Sequence, residues 1–245
     1  MLARSYVVAL FVSLVFPRLS AAQAPPPPPK PWTMAFGAGL SLTSGNTDTS
    51  TYNASYDIVF APNARYTFKS NGLLIRGNTE GEASSDRLNV NLRNEHRVSE
   101  RIFLFGQNQY LRDRFKEIDY LLAPTIGLGY KAVDTERTKL SLDAGMGGVW
   151  EKNAGIDVRA SGAVTLSQKL TQTISTTTTI TQSLQGLWKT EDLDDSLYTF
   201  GVMLATAIST RTQIKIEWID SFNNQPPAGV QKNDVSLLVA LVYKR

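Results

Sequence analysis

The chain has 245 residues, 25 basic and 22 acidic side chains, one His and no cysteine. The missing thiols exclude a disulfide scaffold, thiol catalysis and thiolate metal sites, and the single imidazole, His96, excludes any site built on two. Two of the basic residues, Arg4 and Arg18, fall in a leader segment, so the rest of the chain is nearly neutral and offers no electrostatic footprint for nucleic acid.

Residues 1–22 read as a cleavable signal peptide. Arg4 gives a basic start, and YVVALFVSLVF (Tyr6 to Phe16) is an apolar run of about eleven residues, too short to span a membrane. Ser20, Ala21 and Ala22 supply small residues for a cut after Ala22. Residues 23–31 follow as a proline-rich spacer. The run PPPPPKP fixes φ and removes donors, so it is extended and stiff.

From residue 32 to 245 the pattern changes to period two, the signature of half-buried strands. YNASYDIVF sets Tyr52, Ala54, Tyr56, Ile58 and Phe60 against Asn53, Ser55 and Asp57. Thr138 to Trp150 sets Leu140, Leu142, Ala144, Met146 and Trp150 against Lys139, Ser141, Asp143, Gly145 and Gly147. YTFGVMLATAI and the C-terminal run through Val235, Leu237, Val239, Leu241 and Tyr243 repeat it. About twelve strands result, starting near Thr33, Thr49, Arg65, Asp86, Arg101, Asp119, Arg137, Gly155, Leu170, Leu197, Thr212 and Asn233. Between Arg101 and Leu111 apolar residues occupy both phases, and Thr171 to Leu184 is mostly Thr, which marks faces poorly.

Alternation does not say which face is inside. Four features point the apolar face outward, toward lipid. The strands run about 10 to 14 residues, where globular strands average about 5 or 6. Aromatics gather near strand ends: Trp32, Tyr66, Tyr120, Tyr130, Trp150, Trp188, Tyr198, Trp218 and Tyr243. The other face is small and polar, which suits a lumen better than a dry core. Finally, tight connections (APNA, VSE, LSQK, ISTR) alternate with longer ones (GNTEGEASSD, RDRFKE, EKNAG, WKTEDLDD, NNQPPAGVQ). The expectation is an all-β, transmembrane, antiparallel up-and-down barrel with both termini in the periplasm.

The segments FGAGLSLTSGNTDTSTYNASYDI, YLLAPTIGLGYKAVDTERTKLSLDAGMG and TFGVMLATAISTRTQIKIEW carry a resemblance over about residues 32–243. With SGNT at the first hairpin and GLGY before a short turn, the chain resembles the YdiY-like family of salt-induced outer-membrane proteins, a domain-of-unknown-function family. The resemblance implies an outer-membrane location and a link to osmotic or acid stress. It implies no catalytic residues and no substrate.

A twelve-stranded barrel closes at a backbone radius of about 12 Å and leaves a lumen roughly 12 Å wide between inward side chains. The alternation turns Arg87, Arg93, Glu95, Arg97, Lys131, Lys139, Asp143, Asp157, Arg159, Lys215 and Glu217 inward. There they either pair into a lattice that plugs the lumen or line a narrow water path. His96 shares the outward phase of Leu88, Val90 and Leu92 near a tight turn, with Ser99 close in sequence and no third member to orient the ring. Glu191, Asp192, Asp194 and Asp195 crowd an outer loop but lack the Gly and terminal Glu of an EF-hand. GAGL and GLGY fall inside strands, where Gly relieves crowding or permits bending, so neither is a phosphate loop.

The reading is a non-enzymatic barrel without cofactor or metal, either a narrow passive pore or a closed structural barrel. The alternative is an outer-membrane enzyme acting on lipids. The partners expected are outer-membrane lipids, lipopolysaccharide, the barrel-assembly machinery and a small solute in the lumen.

Overall fold

A computed structural model describes residues 31–44, 49–79 and 82–245. The leader, residues 23–30 of the spacer and residues 45–47 of the SGNT motif lie outside the described residues. Twelve strands pair with their neighbours in sequence, and β12 pairs with β1, so the sheet closes on itself. They are β1 (Trp32–Ser44), β2 (Thr49–Phe60), β3 (Tyr66–Thr79), β4 (Glu82–Arg97), β5 (Ile102–Asp113), β6 (Ile118–Asp134), β7 (Thr138–Asn153), β8 (Arg159–Thr173), β9 (Thr178–Lys189), β10 (Ser196–Ala207), β11 (Thr212–Asn223) and β12 (Asn233–Lys244). One 3₁₀ turn, η1 (Arg114–Lys116), joins β5 to β6. All pairings are antiparallel, so every backbone donor row faces another strand and no edge is free. A strand of 12 residues is about 40 Å long and, tilted near 40°, rises about 30 Å, the thickness of a bilayer's hydrocarbon layer.

The apolar face is on the outside. Leu40, Ile126 and Met146 are 68%, 68% and 67% exposed, far too open for the core of a soluble barrel. Aromatics ring both ends. Trp32 stacks on Phe60 at 4.3 Å at one end. At the other, Trp188 meets Tyr198 edge-on at 5.5 Å, and Tyr198 meets Phe222 at 6.1 Å.

The tight turns share one device. The hydroxyls of Ser99, Ser175 and Ser209 each accept hydrogen bonds from the backbone N–H groups two and three residues on. Asn63 does the same with its carbonyl oxygen, and Thr135 accepts from the Thr138 N–H. These turns and both described chain ends lie at one rim, here the turn end. The remaining connections, including the two longest, β9–β10 and β11–β12, lie at the other, the loop end.

Three sequence expectations need correction. LSQK (Leu166 to Lys169) is not a turn but the middle of β8, and the chain reverses at residues 174–177, so the ninth strand starts at Thr178 rather than near Leu170. Its Ser and Lys are polar because they alternate with outward Leu166 and Leu170, not because they are solvated in a turn. The eighth strand starts at Arg159 rather than near Gly155, because Gly155 adopts φ +71° in a reversal closed by the Ile156 N–H donating to the Asn153 carbonyl. The stretch GNTEGEASSD is mostly strand, since β3 runs to Thr79 and β4 begins at Glu82, with a register shift at Gly77/Asn78. That bulge absorbs the glycine-rich composition that reads as a loop.

Candidate functional site in the barrel lumen

Arg93 is the hub of the lumen. Its Nε lies 2.8 Å from Glu95 Oε1, its Nη1 donates to Gln107 at 2.9 Å, and its Nη2 donates to Asp143 Oδ2 at 2.8 Å. The guanidinium also stands 3.9 Å above the Phe105 ring. Glu95 is held from its other side by Lys69 at 2.8 Å, and Asp143 accepts from Ser167 Oγ at 3.2 Å. Arg93 is on β4 and Asp143 on β7. Two strands separate them in the sheet, so the pair can form only by reaching across the concave inner face.

Local sequence makes room for that bridge. A Cβ on Gly127 would come within 2.1 Å of the Ala144 carbonyl oxygen, and one on Gly129 within 2.1 Å of Phe103 Cζ. The GLGY motif of β6 is therefore a notch into which the buried Phe103 and Phe105 rings fold, and Arg93 lies over them. This also decides the phase of β5. Phe103 and Phe105 face inward, while Ile102 and Leu104 are exposed on the outer face.

Toward the loop end, charges cross the full barrel. Arg87 of β4 donates from both terminal nitrogens to Ser221 Oγ of β11 at 3.3 Å, and its Nε is 3.8 Å from Asp113. Lys116, on η1, extends its ammonium to Asp234 of β12 at 3.1 Å and to the Ser221 carbonyl at 3.1 Å. Asp113 builds η1 by accepting from the Phe115 and Lys116 N–H groups, and Glu117, at φ +57°, ends it. Burial pushes the Lys116 ammonium below the ordinary lysine range, the Asp234 carboxylate pulling it partly back. Beside this strap, Leu111, Ile118, Leu121, Ala123, Val149, Ala163 and Leu187 form a dry cluster inside the barrel, joined by Leu197. Lys189 pairs with Glu151 and, at 2.9 Å, with Asp195.

The turn-end half of the lumen is wetter. Asp57, Asn71, Lys169 and Ser183 lie on the inward phase of β2, β3, β8 and β9 yet remain exposed.

Of the charges expected inside, Arg93, Glu95 and Asp143 form one cluster and Arg87 joins the crossing above it. Lys215 and Glu217 pair with each other at 2.7 Å on β11. Lys131 pairs with Asp134 at the turn end, where Lys139 and Arg97 are exposed. Arg159 is exposed at the loop-end start of β8. Asp157 is a correction. It lies exposed in the β7–β8 connection, outside any strand, because β8 starts two residues later. Sequence reasoning missed Lys69 and Lys169, which the same alternation would have found. It also missed Lys116, whose inward turn has no periodic signal. The acidic loop is spent on its own fold: Asp192 accepts from the Asp194 N–H and from Gln225, and Asp195 holds Lys189. Among the described residues no three metal-ligating side chains converge.

The fold is that of outer-membrane barrels. The chain is similar to the NanC porin (TM-score 0.58, 10% identity, 85% of this chain and 98% of that one). It is also similar to an outer-membrane channel from Pseudomonas putida F1 (TM-score 0.52, 12% identity, 89% and 97%). The translocator domain of the autotransporter NalP from Neisseria meningitidis shares the architecture as well (TM-score 0.53, 10% identity, 88% and 89%). No curated protein sequence matches. Residues 36–244 match the model of the family described as proteins of unknown function, DUF481, and the chain belongs to that family.

Proposed function

We propose that this protein is a non-enzymatic outer-membrane channel of narrow bore, exported by its leader, with its termini in the periplasm. It passes small hydrophilic solutes and is closed at the loop end in the conformation described above. The observation that carries this reading is the Lys116 strap. A polar lumen with exposed Asp57 and Lys169 is crossed at its loop end by the buried Lys116 ammonium, which reaches Asp234 and Ser221, next to the Arg87 crossing to the same serine and the apolar cluster. Burying that charge offsets much of what its ion pair contributes, so the closure is weak enough to release. The NanC porin and the Pseudomonas putida F1 channel, both similar in fold, support a conducting role.

The non-enzymatic reading draws support from His96, which lies exposed opposite Tyr66 and Leu104, while the Ser99 hydroxyl is used to close its turn. Lipopolysaccharide, the outer-membrane lipids and the barrel-assembly machinery are the partners this location requires. The stress link implied by the family resemblance fits a closure that opens on demand.

Planar-bilayer recording tests the proposal. The wild type should show small, infrequent openings, and Lys116→Met should raise the open probability several-fold. Silence in both would assign a closed structural barrel instead.

A further inference from the structure

Asp86 of β4, with a side chain only 9% exposed, is surrounded by three arginines. Arg112 Nη2 lies 2.7 Å from Oδ1, Arg76 Nε 3.6 Å from Oδ1, and Arg114 Nε 3.3 Å from Oδ2. Register puts this cluster outside the barrel. Arg76 is paired with Asp86 on one side and Tyr52 on the other, and Arg112 is paired with Leu88. These positions continue the column of Leu88, Val90 and Leu92 on the apolar outer face. Tyr110, two residues nearer the middle of β5, and Tyr52, beside Arg76, belong to the loop-end aromatic belt. The arginines therefore stand at and just beyond the belt, at the level of lipid headgroups.

Among the described residues Asp86 is the carboxylate that all three arginines share, and one carboxylate cannot neutralise three guanidiniums. Arg76 and Arg114 keep 51% and 68% of their side chains exposed, and each planar guanidinium carries five N–H donors, more than one carboxylate oxygen can take up. A guanidinium fork matches phosphate oxygens in a bidentate way, and several forks converging on one point favour a multiply charged oxyanion.

We propose that Arg76, Arg112 and Arg114 bind a phosphate of an outer-leaflet glycolipid, of the bisphosphorylated glucosamine type found in lipid A. Asp86 is a positioning residue that holds the guanidiniums together. The inference rests on the outer-membrane reading given above and adds a lipid site to it.

The test uses protein extracted from membranes in mild detergent, with retained lipid counted by native mass spectrometry. The probes are bisphosphorylated lipid A, its dephosphorylated form and inorganic phosphate. The double variant R76Q/R114Q replaces the two exposed side chains and leaves the Arg112–Asp86 pair in place, so the barrel should still fold. A mass shift between boiled and unboiled samples on gels would verify this. Wild type should retain bisphosphorylated lipid A about tenfold better than R76Q/R114Q, and R76K/R114K should recover part of the loss. Dephosphorylated lipid should be retained by neither, and millimolar phosphate should not displace the lipid. Equal retention by wild type and R76Q/R114Q overturns the proposal. So does retention of dephosphorylated lipid, or displacement by free phosphate. A wild type that inserts in bilayers but shows no arginine dependence defeats this inference alone. Failure to insert defeats the outer-membrane reading beneath it.

Discussion

Gly127 and Gly106 lie on neighbouring strands and have opposite surroundings. A Cβ at Gly127 would strike the Ala144 carbonyl oxygen at 2.1 Å, a backbone atom that cannot move without breaking the β6–β7 register. A Cβ at Gly106 would meet nothing within 4 Å. Gly127→Ala should therefore destabilise the barrel by about 1 to 3 kcal/mol, the usual cost of overpacking. Gly106→Ala should be neutral or slightly stabilising, because it lowers the freedom of the unfolded chain without strain. Urea unfolding in detergent, followed by tryptophan fluorescence, measures both. Similar losses at the two positions would mean that the GLGY notch does not hold the Phe103 and Phe105 rings as described. The residue scale is also where the sequence was least informative. Glycine within a strand signals a close approach, but the neighbour it makes room for belongs to another strand.

At the scale of the element, β8 and β9 show why composition misleads where periodicity does not. LSQK looks like a turn, yet Leu166 is 51% exposed on the outer face and Ser167 donates to Asp143 inside. The actual reversal, residues 174–177, is marked by Ser175 accepting from the Thr177 and Thr178 N–H groups. Single-cysteine probes separate the two arrangements, and the cysteine-free background makes them simple to build. A lipid-borne quencher should reach a fluorophore at 166 and miss one at 167. Quenching of neither, with both open to aqueous iodide, is the result expected of a turn. The Thr-rich run hid the boundary because Thr suits either face of a strand.

The whole molecule is defined by closure. β1 pairs with β12 from Ala35/Lys244 to Ser44/Val235, and that seam turns a long meander into a tube with an inside. Orientation in the membrane follows from which rim faces out. With the termini in the periplasm, an epitope inserted at Asp192 should be reachable on intact cells, and one at Ser209 should be reachable only after permeabilisation. Labelling of Ser209 on intact cells would invert the orientation.

Strand number and the outward apolar face were legible in the linear sequence, because alternation is local; the asymmetry of turns and loops was legible only in part, since LSQK and most of GNTEGEASSD lie within strands. Leu142 and Met146 could be assigned to the outside from their own strand alone. The meetings of Arg93 with Asp143 and of Lys116 with Asp234, and the gathering of three arginines on Asp86, were not. Each joins residues from different elements. Whether they touch depends on the barrel's radius, on the stagger between strands and on a bulge at Gly77/Asn78. Those quantities exist only once the sheet has closed, because the distance across a tube is set by all of its strands together.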